Sequence, residues 1–164
     1  MNSKRGARAR DVLRIAEKKG LSKRGPIVKL STRSRYGTRL ILDLAEHYGQ
    51  GFIQLHEIAD RQGISLKYLE QMIIPLRKAG YVKSTRGAGG GYKLAKPPEK
   101  ISVGEIVTLL EGSDQITECS ARPETCERSE ECLTRSLWIE SASSMYGRLN
   151  SVTLSNVLES GKKV

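Results

Sequence analysis

The spacing of apolar residues predicts a series of amphipathic helices in the middle of the chain. From Ser31 onward, apolar positions recur at intervals of three and four, and Ser31 or Thr32 can cap the first turn. Gly49 and Gly51 interrupt this first helix, and a second, shorter helix follows and stops at Gly63. The inward positions of these two helices are Tyr36, Leu40, Ile41, Leu44 and Ala45, followed by Leu55, Ile58 and Ala59.

A third helix begins at Ser65 and ends near Gly80, and it completes a recognisable pattern. Two short helices joined by a turn that contains glycine, with polar residues opening the second one, are typical of a helix-turn-helix. The second helix of that motif meets base edges with its first turns, although any solvated helix face is also polar. The inward residues of this helix are Leu69, Met72, Ile73 and Leu76, and the candidate DNA-reading residues are Ser65, Lys67, Tyr68, Glu70 and Gln71.

The stretch YVKSTRGAGGGYKLAK, residues 81–96, predicts a β-hairpin wing. Tyr81-Val82 and Tyr92-Lys93-Leu94 have the composition of two short strands, and the glycines between them supply the positive φ angles of a tight connection. Arg86 lies at the tip of this hairpin, where an arginine suits the negative potential of a narrow minor groove. The predicted fold class is therefore mainly α, a winged helix-turn-helix with a two-stranded wing.

The same glycines could instead cradle the phosphates of a nucleotide, but the details disagree. A P-loop needs Gly-Lys-Ser/Thr running into a helix, whereas Gly91 is followed by strand-like sequence. A dinucleotide fingerprint needs a glycine where Tyr92 stands. A nucleotide site is thus disfavoured.

The part of the chain after the wing predicts two further helices. Ser102 and Glu105 form a capping box for a fourth helix, which Gly112 ends. A later apolar stripe extends over about five turns and predicts a long dimerisation helix, although packing against its own domain would produce the same periodicity. The inward residues of the fourth helix are Val103, Ile106 and Leu110, and the stripe consists of Leu133, Leu137, Trp138, Met145, Leu149 and Val152.

Charge points to a polyanionic partner. The 28 Lys and Arg residues outnumber 18 Asp and Glu residues, which gives a formal net charge of +10. Such an excess favours nucleic acid as the partner over a membrane surface. No apolar run approaches the roughly 18 residues that span a bilayer, and the basic N-terminus lacks the apolar stretch of a secretory signal. We expect a cytoplasmic protein with no membrane association.

The positive charge is concentrated at the N-terminus. Residues 1–28 carry nine Lys and Arg residues against Asp11 and Glu17. They form a basic, flexible extension that is either a solvated tail or an arm touching phosphates, unless translation begins further downstream. Behind it we expect a winged-helix DNA-binding domain over 29–96, a helix and cysteine loop over 97–131, and the dimerisation helix with a C-terminal tail over 132–164.

These segments together resemble a known family, the Rrf-type winged-helix regulators, which include the iron–sulfur cluster regulator, the nitric-oxide-sensing repressor and the cysteine-metabolism repressor of bacteria. The resemblance covers Lys29 to about Leu158 and is most specific from Ile64 to Leu94. It implies a homodimeric transcriptional regulator or repressor that binds double-stranded DNA, with the third helix in the major groove and Arg86 in the minor groove. It also implies that Glu70 helps to discriminate between classes of DNA site. The matching stretches are KLSTRSRYGTRLILDLA, LHEIADRQGISLKYLEQMIIPLRKAGYVKSTRGAGGGYKLAK, SVGEIVTLLEG, CLTRSLW and SVTLSNVL.

All three cysteines, Cys119, Cys126 and Cys132, lie in one acidic loop. The charged residues between them cannot form an apolar core, so packing is a poor explanation for the cysteines. Structural zinc prefers Cys-x2–4-Cys pairs and four protein ligands, whereas iron–sulfur clusters accept looser spacing. The resemblance agrees, because sensing members of the family hold a cluster with three cysteines in this loop. We therefore expect an iron–sulfur cluster, with [4Fe–4S] bearing one open iron site favoured over [2Fe–2S].

The fourth ligand is where this chain departs from the family. The resemblance implies a histidine three residues after the last cysteine or an acidic residue on the partner's first helix. The matching positions hold Arg135 and Arg35, and arginine stays protonated and cannot ligate. Water, a small thiol or a carboxylate such as Glu118 or Glu131 remains for the open iron.

The resulting hypothesis is a dimeric, sequence-specific DNA-binding regulator whose cluster responds to iron, redox state or nitric oxide. The segment from Glu111 to Glu131 carries seven acidic residues against two arginines, so we expect it to lie away from the DNA. A cluster-free regulator controlled by thiol oxidation or by a protein partner is the alternative. An enzyme or electron carrier is disfavoured, because no constellation of catalytic residues is present.

Overall fold

Seven α-helices and a two-stranded antiparallel sheet form the part of the chain that the computed structural model describes, residues 30–87 and 89–161. The basic extension predicted over 1–28 lies outside these residues. In chain order the elements are α1 (Thr32–Glu46), α2 (Leu55–Gln62), α3 (Leu66–Lys78), β1 (Val82–Thr85), β2 (Gly91–Leu94), a 3₁₀ turn (Pro98–Lys100), α4 (Val103–Glu111), α5 (Glu118–Ala121), a second 3₁₀ turn (Pro123–Thr125), α6 (Arg135–Asn150) and α7 (Leu154–Gly161).

The helix-turn-helix forms as predicted, from α2 and α3. Gly63 ends α2 in the left-handed region at φ +60°, and its N–H donates to carbonyls of the last turn of α2. Ile64 is buried in the turn, and Ser65 takes the N-cap position of α3. The turn thus fixes the angle between the two helices by burying one apolar side chain and satisfying the end of α2.

The hydrophobic core lies among α1, α2, α3 and α4. The apolar face of each helix turns inward because its apolar residues recur at helical spacing. The largest side chains that are almost completely buried are Leu40, Ile41, Leu44, Ile58, Leu69, Met72, Leu76, Ile101, Ile106 and Leu154. Every predicted core position of α1 to α4 lies inward, although Tyr36 and Val103 are only half-buried.

The wing is a hairpin in which Val82 pairs with Leu94 and Thr85 pairs with Gly91. It is attached to the body by an isolated bridge in which the N–H groups of Ile53 and Tyr92 donate to each other's carbonyl oxygens, at 2.9 and 2.8 Å. Gly91 has φ +150°, and a Cβ there would lie 2.3 Å from the Ile53 carbonyl oxygen. Glycine is therefore required at position 91 for the wing to approach the body.

The fourth helix, α4, begins with the predicted capping box. The Ser102 hydroxyl accepts from the Glu105 N–H, and the Glu105 carboxylate accepts from the Ser102 N–H. Gly112 ends the helix at φ +81°. The helix packs closely on its neighbours, because the backbone of Gly104 lies against Asn150 and a Cβ at Gly37 would overlap Leu110.

The C-terminal stripe differs from the expected single helix of about five turns. Helix α6 begins after Leu133 and ends at Asn150, so Val152 lies beyond it. Thr153 and Asn156 then cap a new helix, since each side chain accepts from the other residue's N–H. This helix, α7, returns to the core and buries Leu154 completely, where we expected only a tail.

Candidate nucleic-acid interface and cysteine loop

A groove of about 500 Å³ lies between the recognition helix α3 and the wing. Helix α3 presents Leu66, Glu70 and Arg77 to it, and the wing presents Arg86 from its tip. The guanidinium of Arg77 donates to the Ser84 hydroxyl at 3.4 Å, which connects α3 to β1. The remaining residues that line the groove are Gln54, Leu55, His56, Ser84, Thr85, Gly87, Gly90, Gly91 and Tyr92.

The predicted DNA-reading residues fall into two groups around this groove. Glu70 and Arg86, which are 16 positions apart in the sequence, both line it and both are exposed. Ser65 at the N-cap of α3, and Lys67 and Gln71 within that helix, are exposed but do not line the groove itself. All five side chains are therefore accessible to a ligand.

Tyr68 is placed differently, because its ring is half-buried and packs against the core. The ring meets Tyr36 of α1 edge-on, with the centroids 5.9 Å apart. The guanidinium groups of Arg35 and Arg39 lie over the Tyr36 ring, at 5.9 and 5.5 Å from its centroid. Tyr68 thus joins α3 to α1 and brings two exposed arginines beside the recognition helix.

A buried carboxylate, Asp43, holds α1 against α2. Its oxygens accept from Arg61 at 2.6 and 3.1 Å and from the side-chain amide of Gln62 at 2.9 Å. Burial alone would raise the pKa of Asp43, but the hydrogen bonds from Arg61 and Gln62 and the positive charge of Arg61 outweigh it, so the pKa lies below its ordinary value. His47 caps the end of α1 beside this carboxylate. The first helix of the helix-turn-helix is therefore fixed to the core by charge as well as by packing.

The cysteine loop, residues 119–132, connects the winged-helix part to α6. Cys119 lies in the short helix α5, and Cys126 follows a 3₁₀ turn. Cys132 stands just before α6. The loop has little buried surface, since Ser129 is its one buried residue. Hydrogen bonds rather than apolar packing give it its shape.

All three thiols are free and half-buried. The Cys119 sulfur lies 3.6 Å from the Thr117 hydroxyl, and the Cys132 sulfur lies 3.4 Å from the Thr134 hydroxyl. Hydrogen bonds from the hydroxyl and then the backbone N–H of Thr134 lower the pKa of the Cys132 thiol. These surroundings favour a thiolate at Cys132, which is the form that binds metals.

The donor set suits an iron–sulfur cluster by its chemistry, because clusters are held by thiolates. Within residues 30–87 and 89–161, no three His, Cys, Asp or Glu side chains gather closely enough to hold one metal ion. In a [4Fe–4S] cluster each thiolate binds its own iron, so the sulfurs stand further apart than the ligands of a single ion. The described part of the loop therefore carries three free thiols in one segment but no preformed site for a single ion.

Comparison with known proteins bears on the whole described region. Residues 30–160 match the model of the Rrf2 family, which is described as an iron-dependent transcriptional regulator. The chain belongs to the Rrf2 family. This membership confirms the resemblance and the winged-helix fold, and it makes the protein a transcriptional regulator of the DNA-binding, winged-helix kind.

Individual Rrf2-family relatives cover most of the chain. The protein rrf2 of Nitratidesulfovibrio vulgaris Hildenborough is 50% identical over 131 residues, which are 80% of this chain and 87% of that protein. The solved structure of T. potens IscR matches at 43% identity and a TM-score of 0.66, over 81% of this chain and 88% of that one. CymR, the global cysteine regulator of B. subtilis, matches at 39% identity and a TM-score of 0.65, over 80% and 96%.

Several residues of this Rrf2-family groove were absent from the sequence-based prediction. Gln54, His56 and Arg77 belong to helices or helix starts whose outward faces carry no periodic signal. Their position depends on how the wing folds back over α2 and α3. The Gly-rich wing was the available signal, and it predicts the hairpin without its docking angle.

Proposed function

We propose that the protein is a homodimeric, sequence-specific DNA-binding regulator whose DNA binding responds to an iron–sulfur cluster held by Cys119, Cys126 and Cys132. The observation that carries the DNA-binding part is the groove that Glu70 and Arg86 share. One side of it is the exposed face of a recognition helix, and the other side is a wing with an arginine at its tip.

The residues divide between two kinds of DNA contact. Side chains at the start of α3 suit the major groove, which admits a helix and presents a distinct pattern of donors and acceptors for each base pair. Arg86 suits the minor groove, where a guanidinium gains from the negative potential. The proposed major-groove residues are Ser65, Lys67, Glu70 and Gln71, with Tyr68 positioning the helix through Tyr36.

Glu70 is proposed to contribute specificity rather than affinity. A carboxylate in the major groove accepts from the cytosine amino group, but it repels phosphates. Its position on the same groove as Arg86 places opposite charges on the two walls. A DNA site must therefore satisfy both contacts in one register.

The cysteine loop is proposed as the sensing part. A bound cluster supplies a group that responds to iron, redox state or nitric oxide through its assembly, oxidation or loss. The three thiols are half-buried, so small molecules can reach them. Acidic residues surround them, which keeps the loop away from the phosphates of bound DNA.

Helix α6 is proposed to carry the signal to the DNA-binding part. Its residues Ala142 and Tyr146 are buried, and the Tyr146 hydroxyl donates to the Ser113 carbonyl just after α4. A change in loop conformation would therefore shift α6 relative to α4 and the winged helix. In a dimer this changes the spacing of the two recognition helices, which must match the spacing of DNA half-sites.

The start of α6 also supports the proposed homodimer. Leu133, Leu137 and Trp138 are exposed by 95%, 52% and 38%, respectively. A second copy of the chain can cover this apolar surface through an isologous interface. Such a dimer would place the cysteine loops next to the dimer interface. We propose that the dimer acts in the cytoplasm, where it can reach DNA.

A cluster-free regulator controlled by thiol oxidation or by a protein partner is the second candidate. It is favoured by the free, half-buried state of all three thiols, which leaves them open to oxidants. Such a regulator would bind the same DNA without iron or sulfide.

Selection of DNA sites from a random duplex pool, combined with iron and sulfide analysis of anaerobically isolated protein, tests both parts. We expect a selected pseudo-palindromic duplex to bind at least about 10³-fold more tightly than its scrambled version. We also expect iron and sulfide in stoichiometric amounts, with visible absorption. A colourless protein that binds the selected duplex would favour the second candidate, and a protein that binds no duplex at low salt would contradict the proposal.

A further inference from the structure

Arg135 is hydrogen-bonded to both ends of the cysteine loop. Its side-chain Nε donates to the Cys119 carbonyl oxygen at 3.3 Å. Its backbone N–H donates to the Cys132 carbonyl oxygen at 3.1 Å. Thus a single residue at the start of α6 connects the first cysteine to the last, although 13 positions separate them in the sequence.

The side chain has further capacity at this place. A guanidinium has five N–H donors, and the Cys119 contact uses only the one at Nε. Among the ion pairs of residues 30–87 and 89–161, none involves Arg135, whereas Arg122 of the same loop is paired with Glu118. The positive charge of Arg135 is half-buried beside the loop ends and is not neutralised by a carboxylate within the described chain.

These contacts reduce two unfavourable free-energy contributions to binding a cluster at three cysteines, the loss of loop entropy and the repulsion between thiolates. A flexible loop loses conformational entropy when its ends are brought together, and a bond that already joins the ends reduces this loss. Three thiolates around one group bring negative charge together, and a nearby guanidinium stabilises that charge. Both effects operate without a bond from Arg135 to a metal, which arginine cannot form.

We propose that Arg135 is the positioning residue of the cysteine loop, holding Cys119 and Cys132 together in the cluster-free protein and placing a fixed positive charge beside a bound cluster. The part concerning a bound cluster rests on the proposed function. The part concerning the cluster-free loop does not.

The cluster-free part is tested by the alkylation rate of each cysteine in iron-free, reduced protein, resolved by mass spectrometry. The rate is measured at an alkaline pH at which the thiols are ionised, so that loss of the Arg135 charge does not itself change the amount of reactive thiolate. In Arg135→Ala we expect Cys119 to react about 3- to 10-fold faster than in the wild type, because one hydrogen bond that restrains it is lost. Arg122→Gln is the matched control, since it removes a positive charge from the same loop but no contact to a cysteine, and it should leave the rate unchanged. Equal thermal unfolding midpoints would show that the variants are folded.

The cluster part is tested by the midpoint reduction potential and by the decay of visible absorption in the presence of an iron chelator. Arg135→Ala should lower the potential and shorten the lifetime, because the anionic cluster loses a nearby positive charge. Arg135→Lys, which keeps the charge, should return the potential toward the wild-type value.

The outcomes separate this inference from the proposed function. If the isolated wild-type protein contains no iron and sulfide, the proposed cluster is ruled out. The alkylation rates would still test whether Arg135 positions the loop. Wild-type rates of Cys119 alkylation in Arg135→Ala would overturn the positioning role, and an unchanged potential in that variant would overturn the role of the charge.

Discussion

The winged-helix part and the cysteine loop are built on opposite principles. In the winged helix, side chains such as Leu40, Ile58 and Leu69 are fully buried, and the carboxylate of Asp43 is enclosed by donors. In the loop from Cys119 to Cys132, only Ser129 is buried, and hydrogen bonds connect its parts. The winged-helix part is well packed and the cysteine loop is loosely packed. In such an arrangement a small chemical change can alter the loop without unfolding the winged helix.

The sharpest contrast in stability should come from two leucines. Leu40→Ala empties a fully buried site and should cost about 2–5 kcal/mol of unfolding free energy. Leu133→Ala removes a side chain that is 95% exposed and should change the unfolding free energy of a protomer by less than about 0.5 kcal/mol. Urea unfolding over a range of protein concentrations checks both, and a large loss from Leu133→Ala that does not depend on concentration would show that the loop region contributes to the protomer's core.

Removing the buried carboxylate of Asp43 should reduce stability much more than removing the exposed carboxylate of Glu118. Asp43→Asn sets an amide against the donors of Arg61 and Gln62, and it should cost about 1–3 kcal/mol at neutral pH. Glu118→Gln breaks an exposed pair with Arg122 and should have little effect. Unfolding curves of the two variants and the wild type at neutral pH make this comparison.

The effect of Asp43 should also depend on pH in a defined direction. Because its pKa is lower in the folded protein, its contribution is complete above the ordinary pKa of 3.8 and is lost as the pH falls through the folded value. The wild-type and Asp43→Asn unfolding free energies should therefore converge in acid. A difference that stays constant from neutral pH to well below the ordinary pKa would contradict the role of the ionised carboxylate.

In DNA binding, Arg86 should matter most among single side chains. Arg86→Ala should cost about 1–3 kcal/mol of affinity for the selected duplex, since the guanidinium at the wing tip is lost from the minor groove. Lys100→Ala removes an equal charge from the exposed 3₁₀ turn after the wing, outside the groove, and serves as the control. Fluorescence anisotropy at fixed salt measures both, and equal losses would mean that Arg86 acts only through net charge.

Glu70 should have the smallest effect on affinity and a clear effect on preference. For two selected duplexes that differ in base sequence, Glu70→Gln should reduce the ratio of their affinities by about tenfold or less. A neutral amide both donates and accepts, so it discriminates less between bases than a carboxylate does. Competition between labelled and unlabelled duplexes measures this ratio. An unchanged ratio would exclude Glu70 from base discrimination.

The same division decides how much of the molecule could be predicted from its sequence. In α1 to α4, periodicity, caps and glycines agree with one another, so the inward positions from Leu40 to Leu110 were predicted correctly. The C-terminal stripe was wrong in extent, because apolar spacing continues through Val152 while Thr153 and Asn156 cap a new helix. The chain thus starts a new helix at the polar cap of Thr153 and Asn156, although the apolar spacing alone predicts one continuous helix.

The candidate site shows a similar limit. Arg86 and Glu70 were predicted as DNA-facing residues, but Tyr68 proved to be a packing residue as well, since a tyrosine at the edge of an amphipathic face suits both roles. The role of Arg77 depends on its contact with Ser84 across the docked wing. The contact between Arg135 and Cys119 likewise depends on the docking of α5, which no spacing rule describes.

One DNA-binding titration tests most directly whether the cysteine loop controls DNA binding by the winged-helix part. The affinity of the selected duplex is measured for anaerobic, cluster-loaded protein and for the same preparation after iron removal, at one salt concentration. We predict that the two forms differ in affinity by at least about fivefold for the selected duplex and have equal affinities for its scrambled version. Equal affinities of the two forms for the selected duplex would contradict this prediction.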